Sequence, residues 1–264
     1  MEVIAFDVEG KFAHFRKYYA NNTAMSFSMP PRTTIMGMLG AICGMARDSY
    51  YEAFRSDHLL IGAGLLQPVK KTFHRVNFLR VKTVDDLRGK EGRVQTPFEV
   101  VMPHDLARGM VQYRIYIAPN NGHTRPYEQV KAALQPENDE YRRNDAFNLA
   151  LGTANFSASV VWKKLYPAGQ VQQCPPTDQF VEFSSGVCSE KVVKLDFAKQ
   201  EGQHFNSIEE ELMPADFKSN HDREVVKMNR VLFTTDGLPL RIQHSGTFWE
   251  LKDDDSSQFI DFLE

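Results

Sequence analysis

Apolar and polar residues alternate over residues 2–8 (EVIAFDV), the period of a strand with one face on a core. The period then changes. Ile35, Met38, Leu39, Ile42 and Met45 recur at helical spacing, behind a Pro31 placed where a first helical turn tolerates proline. Gly37, Gly40 and Gly44 form a second stripe on that helix, small enough to let it sit close to another part of the chain. Residues 59–66 (LLIGAGLL), closed by Pro68, read as a short buried strand. Residues 69–104 alternate cationic and apolar side chains, turn through 85–89 (DDLRG) and return as RVQTPFEVVMP, which predicts a long basic hairpin. Residues 110–118 (MVQYRIYIA) resume a core strand, 125–135 form a short helix ended by Pro136, and 147–162 (FNLALGTANFSASVVW) hold another strand with a Gly-Thr turn.

Strand, helix, strand, hairpin, strand, helix, strand is the order of the ferredoxin-like split βαβ fold, the plan of RNA-recognition modules. The sequence therefore predicts an α+β protein with a ferredoxin-like (RRM-like) core over residues 1–165, a basic β-hairpin thumb at 69–104 and a β-rich extension over 166–264. Strands of the extension are expected at 179–184, 192–198, 203–207, 224–234 and 239–251, packed on the core rather than folding alone. No internal repeat is present. Residues 253–257 (DDDSS) read as the mobile start of a tail, with Phe259, Ile260, Phe262 and Leu263 available to anchor its end.

Composition narrows the class. A chain of 264 residues, 42% hydrophobic and 25% charged, has the balance of one large globular domain or two small ones. Cys43, Cys174 and Cys188 show no metal-ligand spacing, and their odd number and scatter fit a reduced interior without disulfides. Asp7 and Glu9 close behind the first apolar strand do not fit a signal peptide, and the apolar stretch at 35–46 is too short to span a bilayer. A cytoplasmic protein with no membrane partner is expected.

The formal net charge of −3 argues against a general nucleic-acid coat protein. The charge is uneven, however. Residues 250–264 hold six acids and one lysine, so residues 1–249 carry +2. Residues 11–47 hold five Lys/Arg and no acid, as do residues 58–84, and affinity for phosphate follows such local charge. Residues 10–34 (GKFAHFRKYYANNTAMSFSMPPRTT) concentrate the signal. Lys11, His14, Arg16, Lys17 and Arg32 are interleaved with Phe12, Phe15, Tyr18 and Tyr19, ahead of a helix N-terminus. Cations for phosphates, rings for splayed bases and a helix start suit single-stranded nucleic acid. Phe12 and Phe15 also suit a core, whereas Tyr18 and Tyr19 have polar neighbours. Arg32, beside the helix start, is the leading phosphate ligand, and its alanine variant is expected to weaken RNA binding.

The run at 12–45, FAHFRKYYANNTAMSFSMPPRTTIMGMLGAICGM, resembles the N-terminal signature of the CRISPR-associated family five, RAMP-superfamily subunits of type I Cascade complexes. RVQTPFE at 93–99, YRIYIA at 113–118 and LGTANFSASV at 151–160 extend the likeness to residues 1–165, and it is most like the type I-B branch. The resemblance implies a ribonucleoprotein role in antiviral defence. Members hold the 5′ handle of the crRNA with the first strand–helix loop, the first helix and a thumb-like hairpin that also meets the backbone subunit. Carried onto this sequence, the RNA-binding candidates are His14, Arg16, Lys17, Tyr18, Tyr19, Arg32 and Thr33, with Lys70, Lys71, His74, Arg80, Lys82 and Arg93 on the thumb. Implied partners are the crRNA, the Cascade backbone subunit and the large subunit; contact of the thumb with target DNA is left open.

One branch of this family cleaves repeat RNA without metal, which needs a base near a ribose 2′-hydroxyl and a cation near the phosphate. His14, Tyr18, Lys70 and His74 have the side chains for it. The first helix, IMGMLGAICGM, lacks the tyrosine of the cutting branch, so a non-catalytic subunit is expected, with an endoribonuclease and a protein-only scaffold as alternatives. The pairs His104-Asp105 and His221-Asp222 lack further ligands at suitable spacing, and no phosphate-loop or dinucleotide fingerprint occurs. No metal or cofactor is expected.

Overall fold

The computed structural model describes residues 1–20, 22–107, 109–135, 148–197, 208–218, 222–254 and 256–264. Among the described residues it is mostly β, with two α-helices. Strand β1 (Val3–Gly10) pairs antiparallel with β7 (Val111–Pro119) on one side and β8 (Ala158–Tyr166) on the other. β4 (Leu59–Leu65) pairs with the far side of β7, giving the order β4-β7-β1-β8. Helix α1 (Arg32–Ile42) precedes β4, and α2 (Thr124–Leu134) lies between β7 and β8. The alternation seen along β1 is the reason two layers cover the sheet. Ile4, Phe6 and Val8 meet Ile35, Leu39, Tyr127 and Val130 of the helices, whereas Val3 and Ala5 face a second cluster. β4 is buried at every residue, as its unbroken apolar run requires.

Helix α1 ends before its apolar period does. Gly44 takes φ 65, the Met45 N–H donates to Gly40 O at 2.8 Å and the Gly44 N–H to Ala41 O at 3.2 Å. These are the paired bonds of a Schellman stop, so Met45 lies past the helix. The small-residue stripe seats Tyr50: a Cβ on Gly40 would meet Tyr50 Cδ1 at 2.4 Å.

The strands that follow β8 build two further sheets. One has six strands, β9 (Val171–Cys174), β10 (Thr177–Phe183), β12 (Val192–Leu195), β15 (Leu240–His244), β16 (Phe248–Lys252) and β17 (Ser257–Ile260), in the order β12-β15-β10-β17-β16-β9. Its Leu251 and Ile260, with Phe262 just past β17, pack on Val3, Ala5, Leu60 and Tyr116, the face of the first sheet turned away from the helices. The other sheet, β11 (Val187–Cys188), β14 (Val225–Thr234) and β13 (Ile208–Phe217), lies against α1, where Met213, Val231 and Phe233 join the main core. The free edge of β4 is covered too: Leu263 N–H donates to Ile61 O at 2.8 Å and Gly186 N–H to Ala63 O at 2.7 Å. Thus Phe262 and Leu263 do anchor the chain end.

Two strands differ in extent from expectation. The run 239–251 breaks at Ser245-Gly246 into two strands, and 147–162 yields a strand that starts at Ala158 after the turn. The strand expected at 203–207 and the helix-ending Pro136 lie outside the described residues. The acidic start of the tail is held in part, because Asp253 pairs with Lys164.

The hairpin is regular. β5 (Val69–Leu79) and β6 (Arg93–Pro103) stay in register from Val69↔Pro103 to Leu79↔Arg93. Its base is buried and its tip exposed. The basic loop is pinned between this base and the turn before β8: Ala13 bridges Val101, Ala24 bridges Phe98, and His14 N–H donates to Leu151 O at 3.0 Å. Gly152 makes that approach possible. Its φ is +96, and a Cβ there would lie 1.8 Å from His14 O.

Arg32 is the main correction to the sequence reading. It is 1% exposed, not a surface phosphate ligand. Its Nη1 donates to Asp216 Oδ1 at 2.7 Å and Ala215 O at 3.2 Å, and its Nη2 to Phe54 O at 2.9 Å and Leu59 O at 2.6 Å. Asp216 also accepts Ser56 Oγ–H at 2.6 Å. A guanidinium so surrounded serves a buried carboxylate and three backbone carbonyls at once. Arg32→Ala is expected to cost about 3–5 kcal/mol of stability by urea denaturation, because Asp216 is left buried and unpaired. Gly152→Ala is expected to cost roughly 2–4 kcal/mol in the same assay, from left-handed strain and overlap with the His14 carbonyl.

Candidate nucleic-acid interface

The pinned loop forms one wall of an open groove of about 740 Å³. The loop contributes His14, Phe15, Arg16 and Tyr18. Helix α1 contributes Thr33, Thr34, Gly37, Met38 and Ala41, and the segment after it contributes Arg47, Tyr50 and Tyr51. The hairpin adds Phe78 and Phe98, the turn before β8 adds Asn148, Leu149, Ala150, Gly152 and Thr153, and the third sheet with its loop adds Pro214, Phe217, Arg223 and Val225. Three arginines and seven aromatic rings line this groove, with no aspartate or glutamate among the described lining residues.

The structure sorts the sequence-predicted residues into three groups. Arg16 and Tyr18 are exposed and line the groove; Arg16 Nη2 touches Ala20 O at 3.4 Å, and Tyr18 stands edge-on to Tyr19 at 5.1 Å. Both tyrosines are 51% exposed, but Tyr19 is not a lining residue. His14 lines the groove from a buried position. Its Nδ1–H donates to Glu99 O at 2.7 Å and its ring stacks on Phe98 at 3.9 Å. Burial is the main cause that pushes its pKa below the ordinary histidine value, so the imidazole is neutral at neutral pH. It offers a ring edge to a ligand, not a charge.

A second group is engaged within the chain, by a carboxylate or a backbone carbonyl. Lys17 is buried, paired with Glu211 and 5.3 Å from the Phe27 ring centroid. Burial works against its charge, but Glu211 and Tyr19 outweigh it and raise the pKa above the ordinary lysine value. Lys71 pairs with Glu209 at 3.1 Å, and Lys70 Nζ donates to His104 O at 3.0 Å. Thr33 donates to Pro214 O at 3.4 Å and is nearly buried. Glu209 and Glu211 belong to β13, so this late strand supplies counter-ions to the hairpin base and to the basic loop. Lys17 and Arg32 are thus removed as free cations, for the same reason: each has a carboxylate partner from β13.

The third group, His74, Arg80, Lys82 and Arg93, is exposed along the hairpin but does not line the groove. The hairpin sends rings into the groove and keeps cations on its outer length. Of the side chains with cleavage chemistry, His14 and Tyr18 meet at the groove, whereas Lys70 and His74 do not line it. Among the described residues, no three His, Cys, Asp or Glu side chains converge as metal ligands would. His221 lies outside the described residues. No helix among the described residues is long and apolar enough to cross a membrane.

Sequence reasoning missed Arg47, Tyr50, Tyr51 and Arg223. Arg47 had a signal, since it closes the acid-free window 11–47. Tyr50-Tyr51 repeats the paired rings of Tyr18-Tyr19 but is flanked by acids. Arg223 lies in a stretch with no distinguishing pattern.

Comparison with known proteins agrees with this architecture. The solved structure described as a CRISPR protein from Archaeoglobus fulgidus superposes with a TM-score of 0.55 at 14% identity, covering 98% of this chain and 99% of that one. A chain of a structure described as a CRISPR RNA-guided surveillance complex gives a TM-score of 0.50 at 10% identity, with 91% of each chain covered. At such identities the likeness is one of fold. No curated protein matches the sequence. The model of the family described as CRISPR-associated protein (Cas_Cas5) matches residues 3–155, more than half of the sequence, and the chain belongs to that family.

Proposed function

We propose that the chain is a non-catalytic subunit of a type I Cascade surveillance complex and that its groove holds the 5′ handle of the crRNA. The observation that carries this reading is that no acid stands among the described lining residues of the groove, with Arg16, Arg47 and Arg223 set among rings. Guanidiniums fork phosphate oxygens, and rings take splayed bases. The four-stranded sheet with both helices on one face is read as the ferredoxin-like core, and the hairpin as the thumb. Membership of the family and the fold shared with a chain of an RNA-guided surveillance complex support the assignment.

The thumb's outer length suits a different surface from the groove. Arg80, Lys82 and Arg93 stand exposed beside Leu79, Val84, Leu87 and Val94. Exposed apolar residues rimmed by cations fit the backbone subunit laid along the same RNA, with the large subunit as the further partner. The complex acts in the cytoplasm, and the branch assigned is type I-B. Base pairing between guide and target reads the foreign sequence, while this subunit reads the shape and charge of the guide's end.

The reading makes defined demands on single-stranded repeat RNA. Arg16→Ala should weaken binding in fluorescence anisotropy and lower the slope of log K against log salt by about 0.7, one phosphate contact on a single strand. Tyr18→Ala should cost roughly 1–3 kcal/mol with little change of slope, as loss of one stacked base does. Arg32→Gln or Lys17→Gln should alter stability more than the salt slope. Repeat RNA incubated with the protein in EDTA should stay intact. Cleavage at the handle boundary would make the chain an endoribonuclease instead.

A further inference from the structure

Asp48 and Arg223, 175 residues apart in sequence, meet at the groove rim. Both have a left-handed backbone, with φ 63 at Asp48 and 53 at Arg223. Aspartate tolerates that region, but a long side chain such as arginine enters it rarely. Their backbones therefore hold a particular juxtaposition. Asp48 Oδ1 accepts Arg223 Nε–H at 3.0 Å and the Tyr51 hydroxyl at 2.9 Å, and Arg223 Nη2 lies 3.0 Å from the same oxygen as an ion pair. Arg47 Nε lies 3.4 Å from Oδ2.

The two sides of this contact differ in freedom. Tyr51 is buried and fixed edge-on by Phe217 at 5.3 Å, so the Asp48 carboxylate, 10% exposed, is set from behind the wall. The Arg223 side chain is 42% exposed and that of Arg47 80%. Both arginines line the groove and Asp48 does not. One carboxylate thus engages two of the three arginines among the groove's described lining residues, from outside it. The two nitrogens that Arg223 turns toward Asp48, Nε and Nη2, are a pair with which arginine can fork a phosphate.

We propose that Asp48 is an internal phosphate surrogate, a latch that keeps Arg223 on the rim of the empty groove and releases it to a backbone phosphate when an RNA strand enters. This rests on the reading of the groove as the RNA site. An exposed ion pair is weak, so exchange of one anion for another has little to overcome. The guanidinium moves and the carboxylate stays. After exchange, Asp48 keeps the Tyr51 hydroxyl and the nearby Arg47, so it is not left bare. The latch favours ligands that place a phosphate where Arg223 can reach it, because any other anion enters a groove whose rim arginine is already engaged.

The test is a salt series of single-stranded repeat RNA binding by fluorescence anisotropy. Asp48→Asn keeps a residue that tolerates positive φ and removes the charge. It should bind about three- to tenfold tighter at low salt, with a steeper salt slope. Arg223→Ala should bind about three- to tenfold weaker, and adding Asp48→Asn to it should restore little, because the released group is gone. Tyr51→Phe, which loosens Asp48 without changing charge, should tighten binding by a smaller factor and gives a second reading should Asp48→Asn fail to fold. Wild-type protein that binds RNA while neither Asp48→Asn nor Tyr51→Phe binds tighter overturns the latch alone. Wild-type protein that does not bind RNA overturns the latch and the groove assignment together.

Discussion

The first residue of α1 decides how the two halves of this protein meet. Arg32 leaves the loop at the N-terminus of the helix and, instead of turning outward, reaches Asp216 of β13 and the carbonyls of Phe54 and Leu59. That one side chain ties four segments: the helix, the segment after it, the start of β4 and a strand from the last quarter of the chain. Ser56 completes the carboxylate. A buried ion pair of this kind adds little net stability compared with an apolar packing, but it is intolerant of misplacement, because either charge alone is costly. It therefore fixes where β13 lies along α1. The position of β13 in turn sets Pro214, Phe217 and, through the turn that follows, Arg223 as the far wall of the groove.

The same strand decides which cations remain for a ligand. Glu211 engages Lys17 and Glu209 engages Lys71, so the basic loop and the hairpin base meet their counter-ions within the chain. What faces the groove afterwards is arginine. A guanidinium is less strongly hydrated than an ammonium and presents a planar fork, so it suits a partly enclosed, ring-lined space better than lysine does. The division is consistent with a formal charge of −3 overall: acids are spent inside and on the tail, while the groove lining has none among its described residues.

Much of the frame was legible because it depends on short-range pattern. The alternation of residues 2–8, the helical recurrence from Ile35 to Ile42 and the unbroken apolar run at 59–66 each report burial on one face, one stripe or both faces. The hairpin was legible for the same reason, and its register has no break. Arg32 was misread because its partner lies 184 residues downstream, so a local view sees a cation beside a proline and a helix start. Lys17 was misread in the same way, with its glutamate 194 residues away. Strand β13 itself gave no clear signal. Its sequence, IEEELMPADF, places acids on both faces at the start, contrary to the alternation of a half-buried strand, because one face meets lysines rather than a core. Against the four β-branched residues that mark β14, β13 has one, Ile208.

The candidate site failed to be legible in proportion to how far its parts were gathered from. Arg16 and Tyr18 come from the loop itself, and both stand in the groove. Arg47 belongs to the segment that follows α1, and Arg223 comes from the opposite end of the chain. Charge counts over a window find the first kind of residue and cannot find the last. The physical reason concerns range. At physiological ionic strength an exposed charge acts over about 8 Å, so what matters to a phosphate is which guanidiniums lie within that radius of the groove. Folding determines that set. The long acid-free window at 11–47 was informative because α1 returns its two ends to the same wall, with Arg16 before the helix and Arg47 after it. The window at 58–84 was less so, since its cations run outward along a straight hairpin and leave Phe78 as its contribution to the groove.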